Sequence, residues 1–279
     1  MSKRALFVHA HPDDETINNG ATMAQMVEDG VAVTLVTCTR GEEGEVLVPE
    51  LAHLASSAED KLGIHRITEL ANAMKELGVK DHRFLGEYRD SGMMGTPQNE
   101  HPNCFWRADV ELAAKELAVI IDEVKPQVMV TYDENGGYGH PDHIQTHRVA
   151  MRAAEIANWQ IKKIYWNIMP KSVVQKGMDA MKDQGSDFFG AENVDDLPFV
   201  KDDSFVDAVI HAPNQVDKKM AAMKAHATQI SLDGPFFALS NNLGVQVFGD
   251  EYYTLVKGVK AAVASTDNLE QDLFAGIEI

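Results

Sequence analysis

Cysteine is nearly absent, with only Cys38 and Cys104 in 279 residues. Two thiols without paired spacing supply neither a disulfide framework nor a thiolate zinc site, so both read as ordinary reduced thiols. Basic charge is scarce as well. Twenty-five Lys and Arg stand against 43 Asp and Glu, a formal net charge of −18, and no Lys/Arg cluster offsets that field. Such a chain repels phosphate backbones and anionic lipid surfaces, which argues against nucleic acid and membrane partners. No window reaches the ~18 consecutive apolar residues of a membrane span, and Met1-Ser2-Lys3-Arg4 enters a short strand rather than a signal-peptide core. A cytoplasmic location is the expectation. Repeats, low-complexity tracts and long linkers are missing too.

What is present alternates strand with helix. Ala5-Leu6-Phe7-Val8 reads as a first strand, Gly20 to Glu28 as a helix ended by Asp29-Gly30, and Val31 to Thr37 as a second strand. Leu62, Ile67, Leu70, Met74 and Leu77 mark one face of a long helical segment, Ala55 to Leu77. Arg83-Phe84-Leu85 reads as strand three, Asp109 to Glu123 as a helix, Val128 to Tyr132 as strand four, His143 to Ala157 as a helix, and Lys163 to Ile168 as strand five. This order predicts a Rossmann-like, doubly wound parallel sheet over residues 1–170. Beyond Pro170 the pattern weakens, and residues 171–279, with strand-like Phe205 to Ile210 and Gln246 to Val256 and a helix from Asn214 to Gln229, read as a smaller α+β cap completing the pocket.

Two histidine-acid clusters follow strands. His11-Pro12-Asp13-Asp14-Glu15 lies beyond strand one, and His140-Pro141-Asp142-His143 lies beyond strand four after a glycine-rich loop. Ligands in doubly wound sheets bind outside the carboxyl ends of strands, which is where both clusters fall. His11, Asp14 and His143 satisfy the three protein ligands of a catalytic zinc. Asp13 is then a spare carboxylate able to act as general base, and His140 a spare imidazole able to protonate a leaving amine or steady the tetrahedral intermediate. One such cluster alone equally suits a loop in which Asp13 or Asp14 caps the next helix. Asp142 reads either as a partner orienting His140 or another imidazole, or as a helix N-cap. Two histidines and a carboxylate also form the triad of iron oxygenases, so Fe²⁺ stands beside Zn²⁺, but the spare acid and base favour amide hydrolysis. His9 is read as pointing into the sheet, and His53, His65, His82, His101, His147, His211 and His226 as structural or solvent residues.

The paired motifs resemble the PIG-L or LmbE-like zinc deacetylases. Within that family Val8 to Glu15, Cys38 to Glu45, Arg89 to Met93, Thr131 to His140, Ala225 to Gln229 and Asp272 to Gly276 look like the mycothiol enzymes of actinobacteria, so the likeness covers nearly the whole chain. The resemblance implies one Zn²⁺ on His11, Asp14 and His143, Asp13 as base, and Tyr138 as a mobile residue whose hydroxyl stabilises the oxyanion. It further implies sugar and inositol contacts from Glu45, Arg66 and Asp90, with Met93 lining the pocket, and an exposed charge or a local ion pair is the alternative reading of the charged residues. Two amide hydrolyses are implied, deacetylation of an N-acetylglucosaminyl-inositol and cleavage of mycothiol S-conjugates. Gly139, Arg89 to Gly95 and Phe236-Phe237-Ala238-Leu239-Ser240-Asn241 look more like the deacetylase. A non-catalytic sugar-binding relative is the contrasting reading, disfavoured because mere binding needs neither spare acid-base residue. Oligomeric state is not legible.

Overall fold

The computed structural model describes residues 2–183, 191–231, 249–262 and 267–278, so Phe236 to Asn241 lies outside the described residues. Strands β1 (Arg4–His9), β2 (Ala32–Thr37), β3 (Asp81–Phe84), β4 (Val128–Thr131) and β5 (Lys163–Pro170) alternate with helices α1 (Asp14–Glu28), α2 (Leu62–Leu77), α3 (Val110–Val124), a single broken turn α4 (Gly136–Gly139) and α5 (Pro141–Ile156). Beyond them lie α6 (Lys171–Asp183), β6 (Val200–Lys201), β7 (Ala208–His211), α7 (Val216–Ala225) and β8 (Asp250–Lys257). The main sheet runs β3-β2-β1-β4-β5-β8-β7, and β6 pairs with β5 off that path. From β3 to β5 every pairing is parallel, as expected.

The sheet as a whole is mixed rather than parallel. β8 pairs antiparallel with β5 and with β7, so strands from beyond residue 170 extend the sheet instead of forming a body beside it. The core crosses that boundary too. Ala208, Ile210, Tyr253, Leu273 and Phe274 share one buried layer with Phe7 and Val130. Glu270 fastens the C-terminal segment by accepting hydrogen bonds from Lys163 Nζ and the Tyr165 hydroxyl, both at 2.6 Å in the interior.

Strand periodicity explains the layers. Successive side chains of β1 point to opposite faces, so Ala5 and Phe7 pack with Met23, Leu70 and Met74 of α1 and α2, while Leu6 and Val8 pack with Leu117 of α3 and Val149 of α5. Each fully buried Leu or Phe stabilises by about 1.5–3 kcal/mol. Covered on both faces, β1 is held rigidly where it releases the chain toward His11. Strand order reverses at β1, whose neighbours β2 and β4 lie on its two sides, and the two histidine-acid clusters leave the carboxyl ends of β1 and β4. α1 starts at Asp14, six positions before its apolar periodicity begins at Gly20, because acidic Asp14 and Glu15 suit the first turn of a helix although they add nothing to an apolar stripe. Among the described residues no helix is long and apolar enough to cross a membrane.

Candidate metal centre

Three side-chain atoms face one another at the ends of β1 and β4. Asp14 Oδ2 lies 3.3 Å from His11 Nδ1 and 3.4 Å from His143 Nε2, and those two nitrogens are 3.3 Å apart. A tetrahedral ion with ligand bonds near 2.0–2.1 Å requires ligand–ligand edges of about 3.3–3.4 Å. The triangle has that size.

Tautomers agree with it. His143 Nδ1 faces the Gly136 carbonyl at 3.2 Å and His11 Nε2 faces Asp142 Oδ2 at 3.2 Å, so each ring has an acceptor for its proton on the nitrogen turned away from Asp14. The other nitrogen of each ring is left as a lone-pair donor toward the triangle. Tyr132 stacks on His143 with ring centroids 4.4 Å apart and fixes the imidazole plane. Buried charge also calls for a cation. Asp14, Asp90 and Asp142 surround His11, and although burial alone would lower its pKa, Asp90 first and then hydrogen bonds to Asp14 and Asp142 hold it well above the ordinary value. Without an ion the cluster retains a proton in its place.

Two other groupings share His11, namely His11 with His140 and His143, and His11 with Asp90 and Asp142. The first is weakened by His140 Nδ1, which accepts the Asp142 backbone N–H at 3.2 Å. In the second, Asp142 is already engaged, with Ser91 N donating to Oδ2 at 2.8 Å and Ser91 Oγ donating to Oδ1. Asp90 Oδ1 accepts from Gly92 N at 2.8 Å and Oδ2 from Glu43 N at 3.3 Å. Both carboxylates lie on the Nε2 side of His11, behind the ring.

The capping alternatives resolve differently from one another. Asp13 occupies the N-cap position of α1, yet its side chain caps nothing. Its Oδ2 instead accepts from Arg66 Nη2 at 3.0 Å, and Asp14 Oδ2 accepts from His11 N at 2.8 Å. Asp13 also sits at φ 116°, where a non-glycine residue costs on the order of 1–3 kcal/mol. At α5 the N-cap is His140, not Asp142. Asp142 is instead a buried partner of His11.

Arg66, expected as a sugar contact, also makes contacts within the protein. Its guanidinium is buried, with Nη1 donating to the Gly41 carbonyl at 2.8 Å and Nη2 donating to the Pro12 carbonyl and to Asp13. Gly41 makes room for it, since a Cβ there would lie 1.9 Å from Nη1 and the backbone sits at φ 66°. Asp90 is brought into the cluster 3.6 Å from His11 Nε2, whereas Glu45 is exposed and Met93 is 51% exposed. Tyr138 is exposed on a turn whose Gly136, Gly137 and Gly139 all have positive φ, with its ring centroid 5.0 Å from that of His143 and 6.0 Å from that of His140.

Several supporting residues are not distinguishable in the sequence. Tyr132, Ser91 and Glu42, whose Oε2 accepts from Asp90 N at 2.9 Å, all lie in or beside the quoted motifs, but their partners are set by folding. His9 is buried as expected, between the Tyr132 hydroxyl at 3.0 Å and Asn19 Oδ1 at 2.8 Å. His226 is structural, as expected, wholly buried with its Nε2 facing Glu15 Oε1 at 2.9 Å across 211 residues of sequence.

Comparison with known proteins identifies the family. The family model described as GlcNAc-PI de-N-acetylase, PIG-L, matches residues 6–154, which include all three corners of the triangle. A relative from Geodermatophilus obscurus named 1D-myo-inositol 2-acetamido-2-deoxy-alpha-D-glucopyranoside deacetylase is 56% identical over 292 residues, covering 99% of this chain and 98% of its own. Among solved structures, N,N'-diacetylchitobiose deacetylase from Pyrococcus horikoshii superposes with TM-score 0.59 at 19% identity, covering 95% of this chain and 88% of that one. The 4-carboxy-2-hydroxymuconate hydratase of Pseudomonas putida gives 0.61 at 20%, covering 94% and 100%. At such identities the likeness carries the fold alone, and the fold hosts more than one chemistry. Matched over half its length by the family model and over nearly all of it by the Geodermatophilus relative, the chain belongs to the PIG-L family, the GlcNAc-PI de-N-acetylases.

Proposed function

We propose that this enzyme is a zinc-dependent N-deacetylase that hydrolyses the acetamido group of 1D-myo-inositol 2-acetamido-2-deoxy-alpha-D-glucopyranoside in mycothiol biosynthesis. The observation that carries the reaction type is the His11–Asp14–His143 triangle with Asp13 beside it. The substrate follows the name of a relative that is 56% identical over nearly the full length. His11 Nδ1, Asp14 Oδ2 and His143 Nε2 would hold the ion, one per chain, and Fe²⁺ is compatible with the same donors. A divalent ion there supplies Lewis-acid polarisation and makes water acidic enough to ionise near neutral pH.

The chain's own groups divide the remaining work. Asp13 takes the proton of the attacking water and returns it to the departing glucosamine nitrogen. His140 is a donor rather than an acid, because Nδ1 is committed as an acceptor and burial, with His11 and His143 nearby, lowers its pKa to about 3. Its neutral Nε2–H donates to the oxygen of the tetrahedral intermediate. The Tyr138 hydroxyl, on its glycine-flanked turn, donates to the same oxygen. Tyr138→Phe is therefore expected to lower kcat by about 10²–10³-fold with little change in KM, and steady-state kinetics check it. Raised KM with unchanged kcat would mark a uniform binding contact instead.

Asp142 keeps the proton of His11 on Nε2. Partners of this kind tune a metal ligand, so Asp142→Ala is expected to weaken zinc affinity about 10–100-fold, measured by competition with a chelator. An unchanged affinity would place Asp142 in a purely structural role.

For the substrate, Glu45 and Met93 are proposed to line the rim and Asp90 the inner wall. Arg66 is proposed beside Asp90, because its buried Nε has no hydrogen-bond partner and remains a donor for a substrate hydroxyl while the terminal nitrogens hold Gly41, Pro12 and Asp13. The test is parallel turnover of the inositol conjugate, free N-acetylglucosamine and a mycothiol S-conjugate. Far higher kcat/KM for the first is expected. Equality with the free sugar would remove inositol recognition, and preference for the S-conjugate would make the enzyme a mycothiol S-conjugate amidase.

A further inference from the structure

The Pro12–Asp13 peptide is gripped at both ends. Its carbonyl accepts from Arg66 Nη2, and its N–H donates to Glu15 Oε2 at 2.9 Å. Neither grip is loose. Arg66 is itself fixed by the Gly41 carbonyl, and the other oxygen of Glu15 accepts from Thr16 Oγ1 at 2.5 Å and from His226 Nε2 at 2.9 Å. Glu15 and His226 are wholly buried, and Arg66 nearly so. Holding a peptide by both its N–H and its C=O fixes the rotation of its plane, and that rotation sets φ of the residue that follows. That residue is Asp13, at φ 116°.

A non-glycine residue keeps such a conformation only where its surroundings over-determine it. Here the surroundings are two opposed hydrogen bonds from α1 and α2, the first braced by His226 just beyond α7. The same Arg66 nitrogen that holds the Pro12 carbonyl also reaches Asp13 Oδ2 at 3.0 Å, so backbone and carboxylate are oriented by one group. We propose that Glu15, backed by His226, and Arg66 form a clamp on the Pro12–Asp13 peptide that aims the Asp13 carboxylate for catalysis, with both acting as positioning residues. The inference rests on Asp13 being the general base. It gives Glu15 a task other than ligation, and it gives Arg66 one in addition to contact with the substrate.

A double-mutant cycle tests it. Glu15→Ala is expected to lower kcat roughly 10-fold or more with KM and bound zinc unchanged, since a catalytic group misplaced by about 1 Å costs up to ~10²-fold. In an Asp13→Asn background the same substitution should change kcat by less than about twofold, because nothing remains to be aimed. Glu15→Gln, which retains an acceptor oxygen for the Asp13 N–H, should recover most of the loss. Should Glu15→Ala not fold, Arg66→Lys tests the opposite jaw with the same cycle, and its loss should be equal for the inositol conjugate and for free N-acetylglucosamine. Equal losses in both backgrounds would overturn the clamp. A loss confined to the inositol conjugate in Arg66→Lys would overturn it too and leave Arg66 with substrate recognition alone. An unchanged kcat in Asp13→Asn alone would instead overturn the general-base reading, a result separable from the other two.

Discussion

Asp13→Asn is expected to bind its metal normally and lose about 10²–10⁴-fold in kcat. The atoms proposed to face the metal belong to His11, Asp14 and His143, and Asp13 Oδ2 faces Arg66, so the substitution leaves the triangle intact. What it removes is the only form of the side chain that accepts a proton. Burial raises the Asp13 pKa from its ordinary value to about 6, with Arg66 pulling in the opposite direction. Base catalysis needs the carboxylate, so in the wild type kcat/KM should fall as pH drops through about 6, and this limb should be missing from the Asn variant. A carboxyl group with a pKa near neutrality also serves as an acid, which suits a group that must return its proton to the amine. Near-wild-type kcat in Asp13→Asn would leave the residue as no more than the start of α1.

His143→Ala is expected to abolish turnover and to leave the protein with little or no bound zinc. Each remaining donor would face a gap where Nε2 stood, and two ligands do not make a closed zinc site. His11→Ala should behave alike. Asp14→Asn is more informative, because it keeps an oxygen near the same place while removing the charge, so weakened binding is expected rather than none. Elemental analysis of each purified variant decides the matter, and full metal content in His143→Ala would require His140 to be the ligand in its place.

Much of this candidate centre is legible in the sequence because its histidines and carboxylates leave strand ends in short, chemically distinctive runs. His11, Asp14, His140 and His143 belong to two such runs, and the strands before them are continuous apolar stretches covered on both faces. Strand direction is less legible. β8 reads locally as any half-buried strand, and only its partners β5 and β7 make it antiparallel. Side chains with several possible partners are harder still. An Arg in the mycothiol-like pattern suggests a sugar contact, and that the Arg66 terminal nitrogens also hold the Gly41 and Pro12 carbonyls is not visible before the chain folds. The Glu15–His226 contact hides for the same reason. The Asp142 carboxylate suits either a cap or an imidazole partner in the sequence, and the fold separates the two because His140 caps α5 and leaves the carboxylate to His11.

The most direct measurement is a titration of the chelated, metal-free protein with Zn²⁺, following bound metal and acetate release from the inositol conjugate together. Turnover should be absent at the start, rise in proportion to bound zinc and stop rising at one ion per chain. Acetate release by the metal-free protein, or zinc binding at one equivalent without any release, would contradict a metal-dependent deacetylase built on His11, Asp14 and His143.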